Sequence, residues 1–277
     1  MMKNKSLLLV IAITVLAAFV LGACGGAAND SAGDSSAASS NESSDIFKVG
    51  IDDTYPPMEY KDESGNNVGF DIELATEIAK RLGKKIEFVP TAWSAIFTGL
   101  SSGKYDCIIS SLSITEDRKK TIAYTRPYIE NSQVMVVQTD NNDIKSEKDL
   151  GGKIVAVQMG TTSDDSCQEF MKTTPFKDYK QYEAMTEALN ELKIGRVDAL
   201  ACDLVVAKYF VARDKESFKI VPTTLPLEPI AVGFRKENQA EADKVDKVIE
   251  EIMNDGTLKA ISEKWFKEDM TNVENNQ

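Results

Sequence analysis

The sequence predicts a layered α/β fold built from two similar lobes, and three observations carry that reading. From Phe47 onward, short apolar runs alternate with segments of helical period, the pattern of helices laid on mostly parallel sheets. Runs such as YDCIIS (residues 105–110) have little polar interruption, as strands covered on both faces do. The stretches LSSGKYDCIISS (100–111) and LKIGRVDALACD (192–203) also echo each other: helix, Gly, basic residue, any residue, Asp, apolar strand. Aligned on Gly103 and Gly195, Asp106 matches Asp198 and Ser111 matches Asp203. The last two then stand at the carboxyl ends of matching strands, where open α/β sheets take their ligands.

The elements follow in order. FKVGI (47–51) alternates as a strand and runs into DDTYPPMEY, where Pro56 and Pro57 forbid its continuation. Phe70, Leu74, Ile78 and Leu82 recur every four residues, an amphipathic helix stopped by Gly83. KIEFVP is a strand, and Trp93 to Ser102 a helix ended by Gly103. In the second block KIVAVQ (153–158) is a strand, MGTTSDDS a turn into a helix, Ala184 to Ile194 a helix and VDALAC a strand. QVMVVQ (133–138) reads as the outbound strand between lobes and PIAVGFRK (229–236) as the return, which makes a hinge with a cleft. Two helices follow, with Val245, Val248 and Ile252 marking the face of one and Leu258, Ile261 and Trp265 that of the other. The expected lobes are residues 46–133 with 231–270, and 134–230.

The chain of 277 residues has 32 basic and 44 acidic side chains, a net charge of −12, which would repel nucleic acid. Lys3 and Lys5 precede an apolar run from Leu7 to Leu21, the length of a signal h-region and short of a span. The LGAC that follows resembles a bacterial lipobox, with Gly22 a less usual residue at its position. Residues 1–23 are thus expected to be a lipoprotein signal peptide and Cys24 the lipidated N-terminus. The small, polar stretch to residue 45 is expected to be a flexible tether. Cys107 and Cys202 lie in apolar runs, as buried thiols do, and Cys167 has no CxxC partner. The chain has no histidine, which removes Ser-His-Asp and Cys-His nucleophiles and most zinc sites. No metal or cofactor is expected.

One stretch poses the functional question. SSLSITEDRKK (110–120) places three serines and a threonine after an apolar strand, then Arg118 inside a helix start. Thr115 suits an N-cap, and Glu116 and Asp117 the first turn. Free N–H groups, Ser113 and the forked donors of Arg118 could hold a carboxylate; equally, the residues describe a capped surface helix with a solvated arginine. GTTSDD (160–165) is a second hydroxyl-rich turn, with Thr162 or Ser163 as its cap. Asp203 ends an apolar strand, where a carboxylate is costly unless paired. Its partner is either Lys208, one turn on, or a ligand ammonium. Arg118 for a carboxylate and Asp203 for an ammonium would suit a zwitterion.

GFDIELATEIAKRLG, SSLSITEDRKKTIAYTRPY and GRVDALACD together resemble the solute-binding proteins of polar amino acid ABC transporters, over residues 46–267. The resemblance implies the two-lobe, type II periplasmic-binding-protein-like fold with two hinge strands. It implies that Arg118 clamps the ligand α-carboxylate with Ser113, Thr162 and its neighbour Thr161. Asp203 takes the α-ammonium with Ser111, Trp93 and Tyr55 wall the side chain with Ser110 beside them, and Asp52 meets the side chain's far end. Asp53 is the rival for that last role, and Gln158 and Cys202 border the site without assigned roles.

The implied protein is a monomer anchored by lipid on the extracytoplasmic face of the cell membrane. It captures a polar amino acid by lobe closure and delivers it to a permease without chemistry. Asp52 with two aromatic faces favours a basic side chain. Glutamine or cystine as ligand, a sensory lipoprotein with the same lobes, and an exported dehydratase using Asp52 or Glu59 are the alternatives.

Overall fold

The computed structural model describes residues 45–271. The expected signal peptide, the lipidation site Cys24 and the tether lie outside the described residues. Two five-stranded sheets form the frame. In chain order the first half comprises β1 (Ile46–Ile51), a small antiparallel sheet of β2 (Thr54–Tyr55), β3 (Glu59–Lys61) and β4 (Asn67–Val68), α1 (Phe70–Arg81), β5 (Lys85–Pro90), α2 (Trp93–Ser101), β6 (Cys107–Ile108), α3 (Glu116–Lys119) and β7 (Ile122–Ile129). Then come β8 (Gln133–Gln138), β9 (Ile154–Gln158), α4 (Thr162–Met171), β10 (Asp178–Tyr182), α5 (Met185–Lys193), β11 (Ala199–Asp203), α6 (Leu204–Arg213) and β12 (Phe218–Val221). β13 (Ile230–Arg235), α7 (Gln239–Asn254) and α8 (Thr257–Phe266) complete the described chain. None of these helices is long and apolar enough to cross a membrane.

The first sheet runs β5-β1-β6-β13-β7 and the second β10-β9-β11-β8-β12. In each, the first three strands are parallel, the fourth is reversed and the fifth pairs antiparallel to the fourth. Four strands of five therefore point one way, and the reversed strand, β13 or β8, is the one that leads into or out of a sheet change. The chain leaves the first sheet after Ile129, enters the second at Gln133, and returns between Val221 and Ile230.

The sequence echo is a structural repeat. Asp106 Oδ2 accepts the backbone N–H of Lys48 in β1 at 2.9 Å, and Asp198 Oδ2 accepts that of Ile154 in β9 at 2.7 Å. The glycines before them both take left-handed backbone, φ 75° at Gly103 and 73° at Gly195. In both halves the aspartate ties the helix-to-strand turn to the neighbouring parallel strand.

Several elements are shorter than the sequence suggests. YDCIIS yields a strand of only two residues, because the chain turns away from the sheet at Ile109 and Ser111 adopts φ 45°. Helix α3 is a single turn, so Arg118 sits on a short knuckle rather than at the head of a long dipole. Thr115 caps it as expected, accepting the N–H of Arg118 at 3.1 Å. The GTTSDD turn is capped by Thr161, not Thr162 or Ser163: Thr161 Oγ1 accepts the N–H of Asp164 at 3.2 Å.

The YPPMEY loop is bolted to α1. Phe70 N–H donates to Pro57 O and Asp71 N–H to Met58 O, both at 2.9 Å, so the loop carbonyls satisfy amides that the first turn of a helix leaves open. Gly69 makes this approach possible. Its φ is 140°, and a Cβ there would lie 2.1 Å from Met58 O. Phe70 anchors the other side, 5.3 Å from the Phe266 ring. Gly69→Ala is expected to destabilise the protein by about 1–3 kcal/mol, because neither the backbone angle nor the space suits alanine; a urea melt with an unchanged midpoint would contradict this.

Candidate functional site

The ends of β1, β6, β9 and β11 converge on one small, narrow cavity. From the first half come Asp52 after β1, Tyr55 in β2, Trp93 opening α2, Ser110, Ser111 and Ser113 after β6, and Arg118 in α3. From the second come Thr161 and Thr162 at the head of α4, and Asp203 ending β11. All ten residues singled out from the sequence thus line the same space. Glu59 and Gln158 line it too.

Asp203 is buried, yet among the described residues it has no cation within ion-pair distance. Lys208, the sequence candidate, instead pairs with Glu268 at 2.8 Å. Four neutral donors hold the carboxylate. Tyr55 OH at 2.7 Å and Ser111 Oγ at 3.3 Å reach Oδ2; Asn131 Nδ2 and Gln133 Nε2, both at 2.6 Å, reach Oδ1. The donors come from both halves and from the crossover. Ser111 is presented by its left-handed backbone, uncommon for a residue with a Cβ. Its N–H donates to the buried Asp71 Oδ2 at 2.7 Å, which secures that conformation.

Arg118 is the mirror case. Its guanidinium carbon lies 5.6 Å from the Trp93 ring and 5.2 Å from the Phe97 ring. Among the described residues its side chain makes one hydrogen bond, to Ser113 O at 3.3 Å, and no ion pair. Burial lowers its pKa, with Tyr124 and the carboxylates of Asp165, Glu228 and Asp203 pulling the other way. Arg118 lines the cavity, and among the described residues no carboxylate lies within ion-pair distance of it.

The aromatic walls and the hydroxyl turn join across the cleft. Trp93 Nε1 donates to Gly160 O at 2.9 Å, and Ser94 Oγ to Glu183 Oε2 at 2.9 Å. The Thr161 hydroxyl is committed to its own turn, as cap and as donor to Gln158 O at 2.8 Å. The Thr162 hydroxyl accepts from Gln133 Nε2 at 3.0 Å. Asp164 clamps the turn from behind, accepting Gly160 N–H at 2.8 Å.

At the opposite end stands Asp52. Oδ1 accepts from Thr54 N–H at 3.2 Å and Thr54 Oγ1 at 2.7 Å, and Oδ2 from Gln158 Nε2 at 2.5 Å. Burial raises its pKa, against these hydrogen bonds. Its neighbour Asp53 is turned to Lys61, 3.5 Å away, and does not line the cavity. Behind Asp52, Ser110 Oγ accepts the Asp52 N–H at 2.9 Å and donates to Glu59 Oε1 at 2.6 Å. Glu59 and Asp71 are both fully buried. Burial pushes Asp71 up to about 6, and burial plus the Asp71 charge pushes Glu59 well above its ordinary range. Glu59 Oε1 accepts from Ser110, and its Oε2 has no hydrogen-bond partner among the described residues.

Three comparisons place this architecture. The family model for bacterial extracellular solute-binding proteins, family 3, matches residues 47–268. The chain belongs to that family. It is 33% identical over 275 residues to the L-cystine-binding protein TcyA of Bacillus subtilis, covering 97% of this chain and 99% of that protein. An ancestral arginine-binding protein bound to arginine superposes with a TM-score of 0.76 at 43% identity, over 80% of this chain and 98% of that one. A substrate-binding protein of an ABC uptake transporter from Streptococcus pneumoniae with bound histidine gives a TM-score of 0.78 at 29% identity, over 83% and 96%. The family is one of binding proteins, and the fold is the type II periplasmic-binding-protein fold that the relatives share.

The Glu59–Asp71 pair makes stability depend on pH. A carboxyl that holds its proton more tightly folded than unfolded costs stability as pH rises from its unfolded value toward its folded one. Glu59→Gln retains an acceptor for Ser110 and removes the titration. Thermal melts from pH 4.5 to 8 are expected to show the variant gaining on the wild type as pH climbs, by about 1 kcal/mol or more at pH 8; a gap independent of pH would contradict the pairing.

Proposed function

We propose that this protein is the receptor of an ABC importer for an amino acid with a basic side chain. One observation carries the reading: a guanidinium without a carboxylate and a buried carboxylate without a cation share one cavity. Unpaired buried charges are costly. An α-carboxylate on Arg118 and an α-ammonium on Asp203 satisfy both at once. In this reading Ser113 and Thr162 assist the first, Ser111 the second, and Trp93 and Tyr55 wall the side chain.

Charge supports the basic class. Asp52, Glu59 and Asp203 line the cavity against the one guanidinium of Arg118, an acidic excess. A cationic side chain offsets that excess, and a neutral one does not. Solved relatives with bound arginine and histidine agree with this class, while TcyA is named for cystine. Residues 46–133 with 231–270 and residues 134–230 act as two lobes that close on the ligand, desolvating its charged contacts. Closure is what a permease reads, and no bond is made or broken. Lipidation at Cys24, after removal of residues 1–23, holds the monomer on the extracytoplasmic face, with the stretch to residue 45 as tether.

A thermal-shift screen of the purified chain against the amino acids tests this. A ligand at about 100 times its Kd adds about 2.7 kcal/mol of stability. Arg118→Ala is expected to abolish every shift. Asp52→Asn is expected to weaken lysine or arginine by about tenfold or more while leaving glutamine within about threefold. Equal losses for lysine and glutamine would defeat the basic-ligand reading.

A further inference from the structure

A second concave pocket shares no lining residue with the cavity described above. Helix α6, packed on strands of the second sheet, forms one side of it; α8, packed on α1 and α7, forms the other together with Tyr60 of β3. The chain carries 44 acidic against 32 basic side chains, yet among the described residues that line this pocket none is acidic and four are cations: Lys208, Arg213, Lys264 and Lys267. Two of the four are matched from outside the pocket, Lys208 by Glu268 at 2.8 Å and Lys264 by Glu73. Arg213 and Lys267 have no carboxylate within ion-pair distance among the described residues. Arg213 lies over the Tyr209 ring, its guanidinium carbon 5.1 Å from the centroid, and makes no hydrogen bond there. Lys267 spends one of its three N–H donors, on Lys264 O at 2.9 Å.

The backbone of Lys267 is unusual as well. It closes α8 with φ 64°, its N–H donating to Glu263 O at 3.1 Å. Helices ordinarily give this left-handed closing position to glycine, because a Cβ is strained there. Here a lysine bears the strain and lines the pocket. The aromatic side of the pocket is fixed independently. The Tyr60 and Trp265 rings stand 6.2 Å apart at 86°, which makes a corner, and Trp265 Nε1 donates to Glu73 Oε1 at 3.1 Å. Tyr60, Tyr209 and Trp265 are each only partly buried. A planar ring entering such a corner meets one wall by its face and the other by its edge, the two arrangements that aromatic pairs favour. A phosphate brings a charge near −2 to two unmatched cations, and its oxygens suit the forked donors of an arginine.

We propose that this pocket is a second binding site, which takes a phosphate borne on an aromatic ring: the ring in the Tyr60–Trp265 corner, the phosphate on Arg213 and Lys267. Equilibrium dialysis of the full chain against phenyl phosphate tests this, with inorganic phosphate and phenol as the separate halves of the probe. Phenyl phosphate is expected to bind about tenfold or more tighter than either half. Lys267→Gly is expected to weaken it about tenfold, and, because glycine suits the backbone angle, to melt no lower than the wild type. Arg213→Gln is expected to weaken it about tenfold as well. Arg118→Ala is expected to leave it within about threefold, since that guanidinium lines the other cavity. Inorganic phosphate bound as tightly as phenyl phosphate would reveal an adventitious ion only and overturn the proposal. So would no retention of phenyl phosphate, or an undiminished affinity in Lys267→Gly. A tenfold loss in Arg118→Ala would assign the anion to the other cavity and overturn it too.

Discussion

A buried carboxylate held only by neutral donors is the constraint around which this molecule is arranged. Asp203 must be reached by Tyr55, Ser111, Asn131 and Gln133 at once, and these stand on four separate segments. Each segment is secured elsewhere. Tyr55 belongs to a loop whose carbonyls receive the first amides of α1. Ser111 is held in its left-handed backbone by Asp71. Asn131 lies in the crossover from β7 to β8, and Gln133 begins β8. The carboxylate thus joins both sheets through their connection, and its charge is delocalised over hydrogen bonds without being cancelled.

The internal repeat explains how one frame yields two unlike ends. Asp106 and Asp198 do the same work, each tying a turn to a parallel strand. Eight positions beyond each glycine the halves diverge: Ser111, with Arg118 following on its knuckle, and Asp203 at the matching strand end. A duplicated geometry with a neutral residue on one side and an acid on the other separates positive from negative across a single cavity. Stacking of Arg118 on Trp93 and Phe97 then keeps the cation in place without a carboxylate partner.

Much of this was legible in the chain. Periodicity located α1, α7 and α8 to within a residue or two, because an amphipathic helix writes its buried face directly into its spacing. The strand before SSLSITEDRKK was read too long, since apolar character persists through Ile109 after the backbone has left the sheet. The cap of α4 was misplaced by one residue: Thr161, Thr162 and Ser163 all carry hydroxyls, and only the backbone turn selects among them. Asp53 and Lys208 were plausible alternatives that turned out to be committed to Lys61 and Glu268.

The sequence by itself determined the fold class and the repeat, because strand and helix periods are local properties; its resemblance to the solute-binding proteins is what implied the ten residues that meet at the cavity. Only the tertiary structure decided which of their atoms are already used. Gln158 and Glu59 show why. The direction of an amide and the pKa of a buried carboxyl depend on neighbours brought close by folding: Asp52 and Glu183 for one, Ser110 and Asp71 for the other. Hydrogen bonding is directional and short-ranged, so whether a side chain offers its donor or its acceptor is settled by neighbours distant in the chain, as Asp52 is from Gln158, 106 residues away.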